Sequence, residues 1–114
     1  MAKLYYERLS ALMAGIAPNL STKANLEVKH FFSGAAVYAE KRICISLTPA
    51  GFGLKLPGYL RDELMEEEGA QALRYFPNAP IKKDYVILPE MMVEDRRLLC
   101  FWVEKSINYV LTES

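Results

Sequence analysis

The sequence has little of what catalysis and metal binding draw on: one histidine, one tryptophan and two cysteines in 114 residues. A zinc site or catalytic triad around His30 would have to recruit carboxylates or thiols, and none stands at a recognisable spacing from it. Cys44 and Cys100 form no CxxC pair, so in a reducing compartment each reads as a small buried hydrophobe rather than as half of a disulfide or metal site. No metal, cofactor or catalytic residue is therefore expected, and the chain does not read as an enzyme. An excess of charge is missing as well, since fourteen basic and fourteen acidic side chains cancel. That balance removes the broad positive field on which sequence-independent nucleic-acid binding depends, and direct reading of nucleic acid is not expected. Long apolar runs are absent too. The N-terminal MAKLYYERLSALMAGIAPNL is interrupted by Glu7, Arg8 and Ser10, so neither a signal-peptide core nor a membrane span is read there, and a cytoplasmic location with no membrane contact follows.

What the chain does have is apolar material, 52% of its residues, enough for one domain with one core over residues 1–114. Tyr5, Leu9, Leu12, Met13 and Ile16 share one face at helical spacing, and Gly15 and Pro18 close that helix. The period then changes to two. Val28 to Phe32, Ala35 to Ala39, Arg42 to Leu47 and Gly53 to Leu56 read as four strands separated by SG, EK and TPAG, each a tight turn or bulge. In LPGYLRDELMEEEGA, Pro57 opens a second helix, Leu56, Tyr59, Leu60 and Leu64 mark its face, and Gly69 stops it. ALRYF and KKDYVILP are two further strands joined by PNAP. Glu94 and Asp95 then precede a long helix whose apolar face is Leu98, Leu99, Trp102, Val103, Ile107 and Val110. The order α-β-β-β-β-α-β-β-α predicts a two-layer α+β domain, an antiparallel sheet of roughly five or six strands with its helices on one face.

Three clusters that resemble functional motifs read more simply. Glu66 to Glu68 point about 100 degrees apart along a helix and cannot converge on one ion, so they form a solvated face. The GFG of Gly51 to Gly53 lacks a strand-loop-helix setting and belongs to a hairpin turn. Lys55, Lys82, Lys83, Arg96 and Arg97 are interspersed with acids and read as ordinary solvated cations. Catalysis would require carboxylates such as Asp84, Glu90 and Asp95 to cluster.

The run VKHFFSGAAVYAEKRICISLTPAGFGLKLP, a glycine-ended helix, ALRYFPNAPIKKDYVILP and a closing LCFWVEKSINYV together resemble the N-terminal domain of the TfoX/Sxy-type competence regulators. The likeness spans nearly the whole chain. It rests on the Phe31-Phe32-Ser33-Gly34 bend, the strand end Leu54 to Leu56, Phe76 ahead of Lys83 and Tyr85, and Trp102 in the last helix. Phe31 stands where family members tend to have methionine, and Ser33 where glycine is frequent. The resemblance implies a secretion-chaperone-like α+β fold and a role in regulating DNA-uptake genes through a protein partner such as a DNA-bound transcription factor. It also implies that the helical C-terminal domain of full-length members is absent from this chain.

The stretch FFSG then admits two readings, a ligand loop or a bend that lets another backbone come close. No helix N-terminus follows to hold an anion, so the bend is expected, with Gly34 admitting the close approach. Strand alternation sends Phe31 and Phe32 to opposite faces, one into the core and one onto the uncovered side of the sheet. The expected partner-binding residues are Phe31, Phe32, Tyr38, Lys83 and Tyr85, and the structural ones Gly34, Gly69 and Trp102. The alternative is a small-ligand protein with an apolar pocket between the sheet and the last helix, near Trp102. The aromatic surplus on so small a domain further suggests a homodimer.

Overall fold

A computed structural model describes residues 2–112. Helix α1 (Ala2–Ile16) runs into a single 3-10 turn (Ala17–Asn19), and four strands follow: β1 (Leu26–Phe31), β2 (Gly34–Ala39), β3 (Arg42–Thr48) and β4 (Gly51–Lys55). Next come α2 (Gly58–Glu63), which widens into a π turn (Leu64–Glu68), and the short strands β5 (Gln71–Ala72) and β6 (Tyr85–Ile87). The chain then forms α3 (Glu90–Glu94) and the long α4 (Arg96–Thr112). The strands make one antiparallel sheet in the order β1-β2-β3-β4-β6-β5. Helices α1 and α4 pack on one face of it, so the expected α+β class and element order stand.

Small residues explain how α1 seats. Ala35, Val37 and Ala39 of β2 present short side chains to Leu9, Met13 and Ile16, letting the helix lie close over β1 to β3. Next to it, Leu99, Trp102, Val103, Ile107 and Val110 of α4 cover Ile45, Leu47, Phe52 and Leu54 in the same core. Each fully buried Leu or Ile there contributes about 1.5–3 kcal/mol. Tyr59 and Leu98, expected on the inner faces of their helices, are instead exposed. The α4 stripe is narrower than the apolar run suggested.

One polar residue sits inside that stripe for a geometric reason. Tyr38 pairs with Ile43 but Val37 pairs with Ile45, which leaves Cys44 as the extra residue of a β-bulge. Ser106, fully buried on α4, donates its hydroxyl to the Cys44 carbonyl at 3.0 Å. The helix therefore satisfies a carbonyl that the bulge takes out of the ladder.

Helix boundaries follow local chemistry. Asp95 caps α4, its Oδ1 accepting from the backbone N–H of Arg97 at 3.0 Å and of Leu98 at 3.2 Å. Gly69 closes the π turn at φ +79, the left-handed conformation that glycine tolerates, so the expected stop is where it was read. Helix α3, which follows Pro89, has only five residues and is too short to leave a periodic signal.

Three expectations need correction. ALRYF is not a strand: only Gln71–Ala72 pair, and the chain then crosses the second face of the sheet as a loop. Pro77 and Pro80 deny that segment the N–H groups a ladder would use, and Asp84 turns it at φ +73. The second face is consequently not bare. Leu73 is fully buried and Ala79 nearly so, both outside the main core, and the Tyr75 hydroxyl lies 3.5 Å from the Ser46 hydroxyl. The third correction concerns GFG, whose glycines lie in β4, while the two-residue turn itself is Pro49–Ala50. At Gly53 a Cβ would stand 2.8 Å from the Ser46 hydroxyl and 3.1 Å from Leu73, so glycine is what lets the crossing loop settle there.

Candidate functional site

The site begins with the bend in FFSG. Phe31 pairs with Gly34, so Phe32 and Ser33 form a two-residue turn, and Phe32 takes φ +49. A strand alternates its side chains, but a turn does not. Phe31 and Phe32 therefore do not divide between core and solvent: their rings lie 4.5 Å apart, Phe31 half-buried and Phe32 83% exposed. Gly34 explains why the bend can form. Its φ is not in the left-handed region, but a Cβ on it would fall 2.0 Å from the Leu47 carbonyl oxygen and 2.9 Å from the Thr48 Cα. Here β2 starts so close to β3 that no side chain fits, and FFSG is a close-approach bend.

That approach brings the β1–β2 turn beside the β3–β4 turn, and the loop after β5 fills the space next to them. Tyr75 sets its ring edge-on to Phe31 at 5.9 Å and to Phe32 at 6.2 Å. The neighbouring Phe76 is 64% exposed. Pro49, Ala50, Arg74, Tyr75, Phe76 and Pro77 border a shallow groove of about 490 Å3. Arg74 holds the loop in shape by donating to the Ala79 carbonyl at 2.6 Å, and the Lys82 N–H reaches the Leu73 carbonyl at 2.9 Å. One end of the sheet is thus an exposed aromatic surface on two hairpin tips and a braced loop.

The remaining predicted residues lie elsewhere on the second face. The Lys29 ammonium sits 5.3 Å over the half-buried Tyr38 ring, and that of Lys55 6.0 Å over Tyr85. Tyr85 is only 8% exposed, and burial is the first cause holding its hydroxyl pKa well above the ordinary range, with Tyr75, Cys44, Tyr38 and Asp84 adding to it. Lys83 is exposed in the loop, next to Asp84, whose Oδ1 lies 3.4 Å from Arg61. Trp102 is buried in the main core with Phe101 edge-on to it at 5.2 Å. Tyr75 and Phe76 were missed because their segment read as a strand; the Phe-Pro-Asn-Ala-Pro that follows was the signal against it.

The structure also locates the groups that other readings need. His30 is exposed and stacks on Tyr6, ring centroids 4.6 Å apart. Asp84 pairs with Arg61, Glu90 with Arg8, and Asp95 caps α4, so these carboxylates are engaged at three separate places. Among the described residues no three histidine, cysteine or acidic groups could hold a metal. The space between sheet and α4, where a ligand pocket was the alternative, is filled by Trp102, Val103 and Ile107 against the strands. A surface groove of about 580 Å3 does run outside α4, with Arg97, Phe101 and Lys105 along it. Glu104 beside it is tied to Ser21, which donates both its hydroxyl and its N–H and holds the carboxyl below the usual range. No described helix is long and apolar enough to cross a membrane.

A search among curated proteins finds no match to this chain. A family match does exist, and it takes in the whole sheet, the crossing loop and most of α4: over residues 19–109 the chain matches the TfoX N-terminal domain, and it belongs to that family.

Proposed function

We propose that the protein is a regulatory interaction module, of the competence-regulator kind, that binds a protein partner through the aromatic end of its sheet. The partner class is a DNA-bound transcription factor. The observation that carries this reading is the exposure of Phe32 and Phe76, 83% and 64%, on adjoining loops fixed by Tyr75. Large aromatic rings held rigidly in water are the groups that gain most on being covered by a partner. Balanced charge supports contact with a protein rather than with DNA itself. Tyr38, Lys83 and Tyr85 stand toward the opposite end of the strands, beside Ile43, Leu56 and Lys55, and are not part of this surface.

The test is recovery of a DNA-binding regulator from native host lysate on immobilised protein, beside Phe32→Ser and Phe76→Ser variants. Both rings are exposed, so the variants should melt within a few degrees of the wild type. The reading expects a regulator recovered with the wild type and lost with either variant. Equal recovery on all three, or none on the wild type, overturns it.

A further inference from the structure

The strand β1 is an edge of the sheet, six residues long and paired only through β2 among the described residues. Its register fixes which backbone groups are spoken for. Phe31 and Gly34 close a two-residue turn, and at the far end the Glu40 N–H bonds to the Asn25 carbonyl at 2.9 Å. In an antiparallel pair the bonded positions alternate, so Asn25, Glu27, Lys29 and Phe31 bond toward β2. The N–H and C=O of Leu26, Val28 and His30 therefore point to the open side. An open edge of this length invites another strand unless charge or shape forbids it.

The charges here forbid nothing when the visitor is a second copy. We infer that the protein forms a homodimer by antiparallel pairing of β1 with β1 of a second copy about a two-fold axis at Val28. In that register Val28 faces Val28, and Leu26 faces His30, all through the outward backbone groups. Glu27 then stands opposite Lys29 on both sides of the axis, in the close, non-hydrogen-bonded position where cross-strand ion pairs are nearest. The segment Leu-Glu-Val-Lys-His is thus charge-complementary to itself in the register its free backbone groups require. Shifting the register by two residues loses that match.

The helix layer permits the arrangement. Helix α1 lies over β1 to β3 and is centred on β2. The two β2 strands of the dimer would be separated by three strand spacings, roughly 14 Å, and a helix is about 10–12 Å across. The two α1 helices then lie side by side on one continuous sheet, and the aromatic end of each copy stays open. This inference uses a different surface from the partner-binding reading and stands or falls separately.

Analytical ultracentrifugation from micromolar to near-millimolar protein tests it. The wild type should dimerise. Glu27→Lys and Lys29→Glu should each raise the dissociation constant roughly tenfold or more by placing like charges opposite one another. An equimolar mixture of the two variants should form a heterodimer, and the double variant Glu27→Lys with Lys29→Glu should dimerise again. Val28→Pro removes an outward N–H while leaving the β2 ladder intact, and should abolish dimerisation with the circular dichroism of the fold retained. Phe32→Ser should remain dimeric. A wild type that stays monomeric throughout overturns the inference, as does one that instead takes up an extended foreign peptide on β1. So does a dimer indifferent to Val28→Pro and to both charge reversals.

Discussion

Replacing Gly34 with alanine adds one methyl group at the position where β2 meets β3. The new Cβ would stand 2.0 Å from the Leu47 carbonyl oxygen, 2.9 Å from the Thr48 Cα and 3.0 Å from the Leu47 carbonyl carbon. Ordinary carbon-to-oxygen contacts begin near about 3.3 Å, so the strands must part by roughly 1.3 Å. All three obstacles are backbone, and none can rotate away. Moving them stretches the neighbouring Ala35–Leu47 pairing beyond hydrogen-bond range. Overpacking of this kind costs about 1–3 kcal/mol, and a weakened buried ladder bond adds about 1–2 kcal/mol. The sum, about 2–5 kcal/mol, is a large share of the roughly 5–15 kcal/mol that holds a domain of this size together. Thermal unfolding followed by circular dichroism should show Tm lowered by roughly 8–20 °C. Gly69→Ala is the control: its Cβ meets nothing within 4 Å, and only the φ of +79 opposes it, at about 1 kcal/mol. A Gly34→Ala protein within about 1 kcal/mol of the wild type would refute the close-approach account of the bend.

Ser106→Ala should cost about 1–3 kcal/mol in urea unfolding, because it leaves the bulge carbonyl of Cys44 buried and unpaired. A loss below about 0.5 kcal/mol would mean that the Cys44 carbonyl is satisfied otherwise. Asp95→Ala should remove about 1 kcal/mol through loss of the α4 cap, and Asp95→Asn should restore most of it. Stability should also fall in alkali. Burial pushes the Cys44 thiol from 9.0 up to about 12, with Lys55 opposing slightly, and burial raises Tyr85 as well. Both groups hold their protons more tightly folded than unfolded, so their contribution is complete below about pH 9 and is lost as pH rises from 9 toward 12. Three pH units correspond to about 4 kcal/mol at most; urea midpoints between pH 8 and 11 should show the decline, flattened in Cys44→Ala. A midpoint that does not move with pH would contradict it.

Much of the fold was legible because it rests on local pattern. The helical spacing from Tyr5 to Ile16 and from Leu99 to Val110, and the period of two across β1 to β4, each reflect one buried face, which a sequence displays directly. The GAAVYA of β2 likewise shows its small inner residues, although not that α1 rests on them. The site was legible only in part. Phe31 and Phe32 were found, but their shared side of the sheet end was not, because a turn interrupts the alternation on which the prediction depended.

The α+β class, the element order, the glycine stop at Gly69 and the close approach at Gly34 all follow from the order of the residues. Those depend on periodicity and on backbone freedom, which are properties of a few neighbouring residues. Packing is what brings Tyr75 and Phe76 to Phe31 and Phe32, Ser106 to the bulge at Cys44, and Leu73 over Gly53 on the second face. Each of these joins residues far apart in the chain, where the outcome depends on which surfaces the packed layers leave adjacent, and no local pattern encodes that.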